Sequence, residues 1–118
     1  MTDNSTTDKV LVMNVSSDAP SFACGKVTFG ATALVEAEYL RVECGFKPRY
    51  VRWTNVDQAN VFEWYEGMAA NTSFKYVTAG DRTTVAGITV DDRGFRVIQT
   101  AALAMATADD VCYWYALR

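Results

Sequence analysis

Histidine, the side chain that most often serves as a general base and as a metal ligand, is absent from this chain of 118 residues. Carboxylates are plentiful, with 14 aspartates and glutamates, and are the first candidates for acid–base chemistry. Glu63 and Glu66 are close in sequence, but on an extended strand they fall on opposite faces and cannot converge as the two acids of a glycosidase. The pairs Asp91–Asp92 and Asp109–Asp110 lie where turns are expected. A calcium site built from these turn aspartates lacks the support of a DxDxDG pattern.

Nucleophilic chemistry has no better support. Cys24, Cys44 and Cys112 have no histidine partner, and the sequence contains neither a GxSxG elbow nor a glycine-rich phosphate loop. We therefore expect no enzyme activity, no metal and no cofactor. The three widely spaced cysteines are expected to be small buried thiols of a protein made in a reducing cytosol. One disulfide, or a thiol at a subunit contact, is the alternative.

Charge and hydropathy limit the partners. The formal charge of −3 offers no broad basic surface to nucleic acid. The segment Met1–Asp8 is polar and lacks the apolar core of a secretory signal. No stretch approaches the roughly 20 apolar residues needed to span a bilayer. Contact with protein is expected, without nucleic acid or membrane.

The densest aromatic stretch, Gly45–Gly67, predicts a β-hairpin. If Asp57–Asn60 forms the turn, Trp53 faces Trp64 and both indoles lie on one face. The same register places Val56 opposite Val61, Arg52 opposite Tyr65, and Val51 opposite Glu66. The candidate core residues are Trp53, Trp64, Phe62 and Trp114.

The opposite face of the hairpin is the candidate contact surface. It carries Tyr50, Arg52, Glu63 and Tyr65, and the closing strand adds Tyr113 and Tyr115. Aromatic residues and arginine are favoured at protein interfaces. Two interpretations remain open: a contact between copies in a homo-oligomer, or a thick core with amphipathic tyrosines at its rim.

The whole chain predicts one all-β domain, an antiparallel sandwich or jelly-roll-like fold of eight to nine short strands spaced about every ten residues. Residues 1–8 are expected to form a flexible arm and residues 9–118 the domain. Tyr39–Cys44 and Val111–Leu117 are expected strands. Thr32–Glu38 fits a helix or a strand, and Ala101–Ala108 fits a helical turn, a loop or an irregular strand.

Several pieces of the sequence resemble small β-rich virion proteins of tailed bacteriophages. They are Gly45–Pro48, Arg49–Asn55, Glu63–Met68, Gly87–Thr89, Asp92–Phe95 and Asp110–Ala116. The resemblance implies a capsid decoration (cement) protein that is made in the host bacterial cytoplasm. Such a protein binds the outside of the major capsid shell, stabilises it, and carries out no catalysis. A homo-oligomer, either a dimer or a trimer, fits this role.

Two other functions remain open. A tail-fibre or baseplate module would bind a host surface glycan through exposed aromatic faces and loop carboxylates. A standalone cytosolic lectin-like or scaffold domain is the third possibility.

Overall fold

The computed structural model describes residues 2–3, 9–18, 21–32, 34, 38–77, 80, 82–98 and 107–118. Within these ranges the chain forms strands and turns without a helix. The strands are β1 (Thr2–Asp3), β2 (Val10–Asp18), β3 (Phe22–Phe29), β4 (Glu38–Glu43), β5 (Tyr50–Asn55), β6 (Asn60–Tyr65), β7 (Ser73–Tyr76), β8 (Arg82–Val85), β9 (Ile88–Asp91), β10 (Gly94–Ile98) and β11 (Val111–Leu117).

The strands form two sheets. The smaller has the order β1-β4-β10-β9 and the larger the order β2-β3-β11-β5-β6-β7-β8. Neighbouring strands are antiparallel, except that β1 runs parallel to β4. The radius of gyration is 12.9 Å, close to the value of about 13 Å for a compact domain of about 100 residues. The prediction of a single-domain, all-β, sandwich-like fold is therefore confirmed.

Aromatic side chains fill the space between the sheets. Trp53 of β5 lies 6.4 Å from the ring of Phe29 and 6.4 Å from that of Phe95, measured between centroids. Phe95 of β10 in turn lies 5.3 Å from Trp114 of β11 in an edge-to-face arrangement, which aromatic quadrupoles favour. The candidate core residues Trp53, Phe62, Trp64 and Trp114 are all buried.

The predicted register of the central hairpin was wrong. Trp53 lies opposite Phe62, and Trp64 lies opposite Val51 and not opposite Trp53. Both indoles still face the core, because the observed register differs from the predicted one by two residues and a shift of two keeps each side chain on its face. The other predicted partners also change. Arg52 faces Glu63 rather than Tyr65, Val51 does not face Glu66, and Val61 faces Thr54 rather than Val56.

The error came from the position of the turn. The turn spans Val56–Ala59, one residue earlier than the predicted Asp57–Asn60. The side-chain oxygen of Asn55 accepts hydrogen bonds from the backbone N–H groups of Asp57 and Gln58, both at 3.1 Å. Ala59 has a φ of 55°, so it completes the turn in the left-handed region. The asparagine before the turn therefore sets the register.

The described part of the chain forms eleven strands, more than the eight or nine expected. Thr2–Asp3, within the predicted arm, pairs with Glu38 and Tyr39. Met1 and residues 4–8 lie outside the described residues. The sequence of Thr32–Glu38 fits a helix or a strand, and the last residue of this segment, Glu38, begins strand β4. Residues 33 and 35–37 of this segment, and residues 101–106 of the other ambiguous segment, Ala101–Ala108, also lie outside the described residues.

Candidate binding surface

The outer face of the seven-stranded sheet carries a continuous row of aromatic rings. We call Phe22, Tyr115, Tyr50, Tyr65 and Phe74 the aromatic row. In this order their ring centroids are separated by 6.3, 5.8, 5.1 and 6.0 Å. The rings come from β3, β11, β5, β6 and β7, which are consecutive neighbours in the sheet. The row therefore runs across five neighbouring strands, transverse to the strand direction.

Strand pairing places these rings side by side. Tyr50 lies directly opposite Tyr65 in the hairpin, and Tyr115 lies opposite Arg52 on the other side of β5. Alternation along each strand turns the tryptophans inward and leaves the tyrosines outward. The row is thus a consequence of the same pattern that fills the core.

The row is partly exposed to solvent. Phe22 is 39% exposed and Tyr65 is 42% exposed. Tyr113, which lies on the same face two residues before Tyr115, is 46% exposed. Contiguous apolar surface of this kind marks interaction sites in folded domains. These three rings are therefore accessible on the outer face of the sheet.

A polar group fixes the central tyrosine of the row. The Tyr50 hydroxyl donates a hydrogen bond to the carboxylate of Glu63, which is only 8% exposed. Burial, together with the hydrogen bond to Glu63, raises the pKa of Tyr50 well above its usual value. Arg52 lies directly opposite Tyr115 in the register of β5 and β11. The Tyr50 ring is therefore held in place by the Glu63 carboxylate and by the neighbouring rings of Tyr65 and Tyr115.

Cations pack against aromatic rings at two places on this face. The Arg82 guanidinium of β8 lies 4.8 Å above the ring of Phe74 and 6.0 Å from that of Tyr76. The Lys26 ammonium lies 5.8 Å from the Tyr113 ring. Both positions are within the range of cation–π attraction. These contacts hold long charged side chains against the aromatic face.

A shallow depression of about 330 Å³ lies beside the aromatic row. Its lining includes a cation, a carboxylate and a phenol, contributed by Arg52, Glu63 and Tyr76, together with the aliphatic side chain of Val61. It is the feature of this face best suited to a small polar ligand.

The outer face of the smaller sheet is different in character. Arg41 binds Asp91 through two hydrogen bonds, one of them 2.9 Å from Nη2 to Oδ1. The Arg96 guanidinium lies 5.2 Å above the ring of Tyr39. The hydrogen bond and charge of Arg41 hold the pKa of Asp91 below its usual value. This face satisfies its charges internally and has less apolar surface to offer a partner.

All six candidate interface residues lie on the outer face of the larger sheet. Three register pairs establish this: Tyr50 with Tyr65, Arg52 with Glu63, and Tyr115 with Arg52. Tyr113 follows by period two along β11. The prediction missed Phe22, Phe74, Tyr76 and Arg82. Phe74 and Tyr76 alternate along a four-residue strand, which is a signal too short to interpret alone.

Four of the six carboxylates considered for catalysis have structural partners, and one of the four, Glu63, has the Tyr50 hydroxyl. Asp91 accepts hydrogen bonds from the backbone N–H groups of Arg93 and Gly94 at 2.9 and 3.1 Å. Asp110 is buried and accepts a 2.9 Å hydrogen bond from the side-chain amide of Asn55. Glu66 lies in the turn after β6, 3.5 Å from Arg49. Glu63 and Glu66 do not converge on a common point.

The three cysteines, all of which the structure describes, are free thiols. Cys44 and Cys112 are buried, and burial raises the pKa of both thiols. Cys24 is half-buried and lies opposite Tyr115 in the sheet, on the face that carries the aromatic row. A thiol therefore borders the candidate binding surface.

No cluster of three or more possible metal ligands occurs among the described residues. The same part of the chain contains no helix long and apolar enough to cross a membrane. No protein-family model, curated protein or solved structure matches the chain.

Proposed function

We propose that this chain is a structural virion protein that decorates the capsid of a tailed bacteriophage. In this proposal the outer face of the seven-stranded sheet binds the outside of the major capsid shell and stabilises it. The observation that carries the proposal is the aromatic row, which crosses five neighbouring strands and remains partly exposed.

The dimensions of this face suit a protein partner. Five strands spaced about 4.8 Å apart extend the row over about 19 Å. A standard interface buries about 800 Å² on each partner and has aromatic and arginine residues at its centre. Tyr65 and Arg52 occupy such a central position. The pre-formed hydrogen bond between Tyr50 and Glu63 reduces the conformational entropy lost on binding.

The resemblance to phage virion proteins supports the choice of partner. Two of the resembling segments, Arg49–Asn55 and Asp110–Ala116, contain most of β5 and β11, which are neighbours in the larger sheet. These two strands carry four of the six candidate interface residues, namely Tyr50, Arg52, Tyr113 and Tyr115. Together with Glu63–Met68, which carries Glu63 and Tyr65, three of the six resembling segments therefore contribute to the candidate binding surface.

A non-catalytic role is part of the proposal. The chain has no histidine. Asp91 and Asp110 are engaged in hydrogen bonds that hold turns and strands together. A decoration protein needs contact area and stability rather than a poised acid or nucleophile.

Co-sedimentation with empty capsid shells tests the proposal. Purified protein should pellet with shells assembled from the major capsid protein and should saturate at a fixed ratio to it. Hundreds of copies in each virion are expected. Protein that stays in the supernatant at saturating shell concentration would refute the decoration role.

Binding of a host surface glycan is the second candidate, and the depression lined by Arg52, Glu63 and Tyr76 favours it. A sugar could lie in this depression and contact the neighbouring Tyr65. Retardation on host polysaccharide, without binding to shells, would support a tail-fibre or baseplate module in place of a decoration protein. A copy number of a few dozen or fewer would point the same way.

A further inference from the structure

Strand β2 forms one edge of the seven-stranded sheet and has unusual properties for an edge. Among the described residues it pairs with β3 alone. It is nine residues long, and Val10–Ser17 contains no charged residue, proline or glycine. Natural sheets usually protect their edges with lysine, proline, bulges or short strands. β2 has a register shift at its start, but the stretch Val12–Ser17 has none of these protections.

Apolar side chains along β2 are open to solvent. Leu11 is 65% exposed, Val12 48% and Val15 40%. The register with β3 shifts between Val10 and Val12, which places a bulge at the start of the strand. From Val12 to Asp18 the pairing with β3 is continuous. This regular stretch is a template on which another strand can pair.

We propose that two copies of this chain pair through β2, in an antiparallel β2–β2 contact that joins the two seven-stranded sheets. The other described edge strands are β1, with two residues, and β8 and β9, with four each. A second copy can therefore match the length of β2 only with its own β2. The same segment on both partners gives an isologous contact, which closes as a dimer and does not continue into a filament.

The register of the contact follows from its length. Only a two-fold axis at Val15 pairs all seven residues from Val12 to Asp18 with those of the partner. Val15 then lies opposite Val15, and Asn14 lies opposite Ser16. No ionisable residue lies between Val12 and Ser17, so no like charges oppose the approach within this stretch. The dimer covers Val12 and Val15 and does not require the aromatic row.

Sedimentation equilibrium tests the contact with matched substitutions. The wild-type chain of 13.0 kDa should reach twice that mass as concentration rises. Val15→Lys places two lysines opposite each other at the axis and should raise the dimer dissociation constant roughly tenfold or more. Val12→Lys should act in the same direction. Val56→Lys, at a turn residue that is 49% exposed, is the matched control and should dimerise like the wild type.

A cysteine at the axis tests the register. In a Cys24→Ser background, Val15→Cys should form a reducible dimer under mild oxidation, whereas Val12→Cys, which faces Asp18 of the partner, should not. A chain that stays monomeric, or lysine variants that dimerise as tightly as the control, would overturn the proposal. Circular dichroism shows whether a variant is misfolded. If Val15→Lys is misfolded, the mass of the Val12→Lys variant tests the contact in its place. A monomeric chain that still pellets with capsid shells would overturn the dimer and leave the decoration role intact.

Discussion

The Tyr50 hydroxyl donates a hydrogen bond to the Glu63 carboxylate across the pair of strands at the centre of the larger sheet. The bond joins a half-buried tyrosine of the aromatic row to a carboxylate that is almost fully buried. It fixes the ring of Tyr50 between Tyr115 and Tyr65. A polar contact therefore sets the geometry of an otherwise apolar surface.

Alkaline pH should destabilise the fold through Tyr50. Burial and its partners raise the pKa of Tyr50 in the folded chain above the unfolded value of 10.0. Its stabilising contribution is therefore fully present below about pH 10 and is lost as the pH rises beyond that value. Urea midpoints measured from pH 8 to 11.5 should fall more steeply in the wild type than in Tyr50→Phe. Equal slopes in the two proteins would contradict this account.

Acid should weaken the smaller sheet through Asp91. The pKa of Asp91 is lowered in the folded chain by its hydrogen bond to Arg41. Its contribution is therefore present above the usual pKa of 3.8 and is lost as the pH falls below it. Because the pair is partly exposed, Asp91→Asn should cost less than about 1 kcal/mol at pH 7. Unfolding from pH 7 to 2.5 should show a shallower decline in this variant, and an unchanged profile would exclude the pair as a source of the pH dependence.

Gly25→Ala should destabilise the chain by steric overlap. A Cβ at position 25 would lie 1.9 Å from the carbonyl oxygen of Asn14 and 2.8 Å from Nε1 of Trp114. Such overpacking typically costs about 1–3 kcal/mol. Gly67→Ala is the control, because its Cβ meets nothing within 4 Å and only its φ of 101° is unfavourable, at about 1 kcal/mol. Thermal unfolding should rank Gly25→Ala as the less stable variant, and the reverse order would be inconsistent with the close approach.

Asn55→Ala should destabilise the hairpin by about 2–4 kcal/mol, because it leaves the buried Asp110 without its amide donor. It also removes the acceptor that closes the turn. Gln58→Ala is the control. Gln58 is exposed and its contacts to Thr107 and Asp110 are long, at 3.4 and 3.5 Å. Gln58→Ala should therefore lower the free energy of unfolding by no more than about 0.5 kcal/mol. Chemical denaturation of the two variants measures the difference, and similar losses would argue against the Asn55 network.

The alternation of residue types predicted the fold class and the face on which each hairpin residue lies. Period two alone separates Trp53 and Trp64 from Tyr50 and Tyr65, and this separation survives a register error of two. The register itself depends on the Asn55 side chain. Its oxygen accepts hydrogen bonds from the backbone of Asp57 and Gln58, and the turn begins one residue earlier than predicted. A local pattern of apolar residues does not contain that information.

Contacts between distant segments could not be predicted from the sequence. Phe22 joins the aromatic row because β3 pairs with β11, which is far from it along the chain. Strand order, which local periodicity does not encode, decides its position.

Binding of tyrosine variants to capsid shells tests the central claim most directly. Tyr65→Ala removes the most exposed ring of the aromatic row, and loss of an interface hot spot typically costs 2 kcal/mol or more, or roughly thirtyfold in affinity. Tyr39→Ala, a matched truncation on the outer face of the smaller sheet, is the control. We predict that Tyr65→Ala binds shells roughly thirtyfold more weakly than the wild type while Tyr39→Ala binds normally. Wild-type affinity in Tyr65→Ala, with the loss appearing in Tyr39→Ala, would contradict the assignment of the binding face.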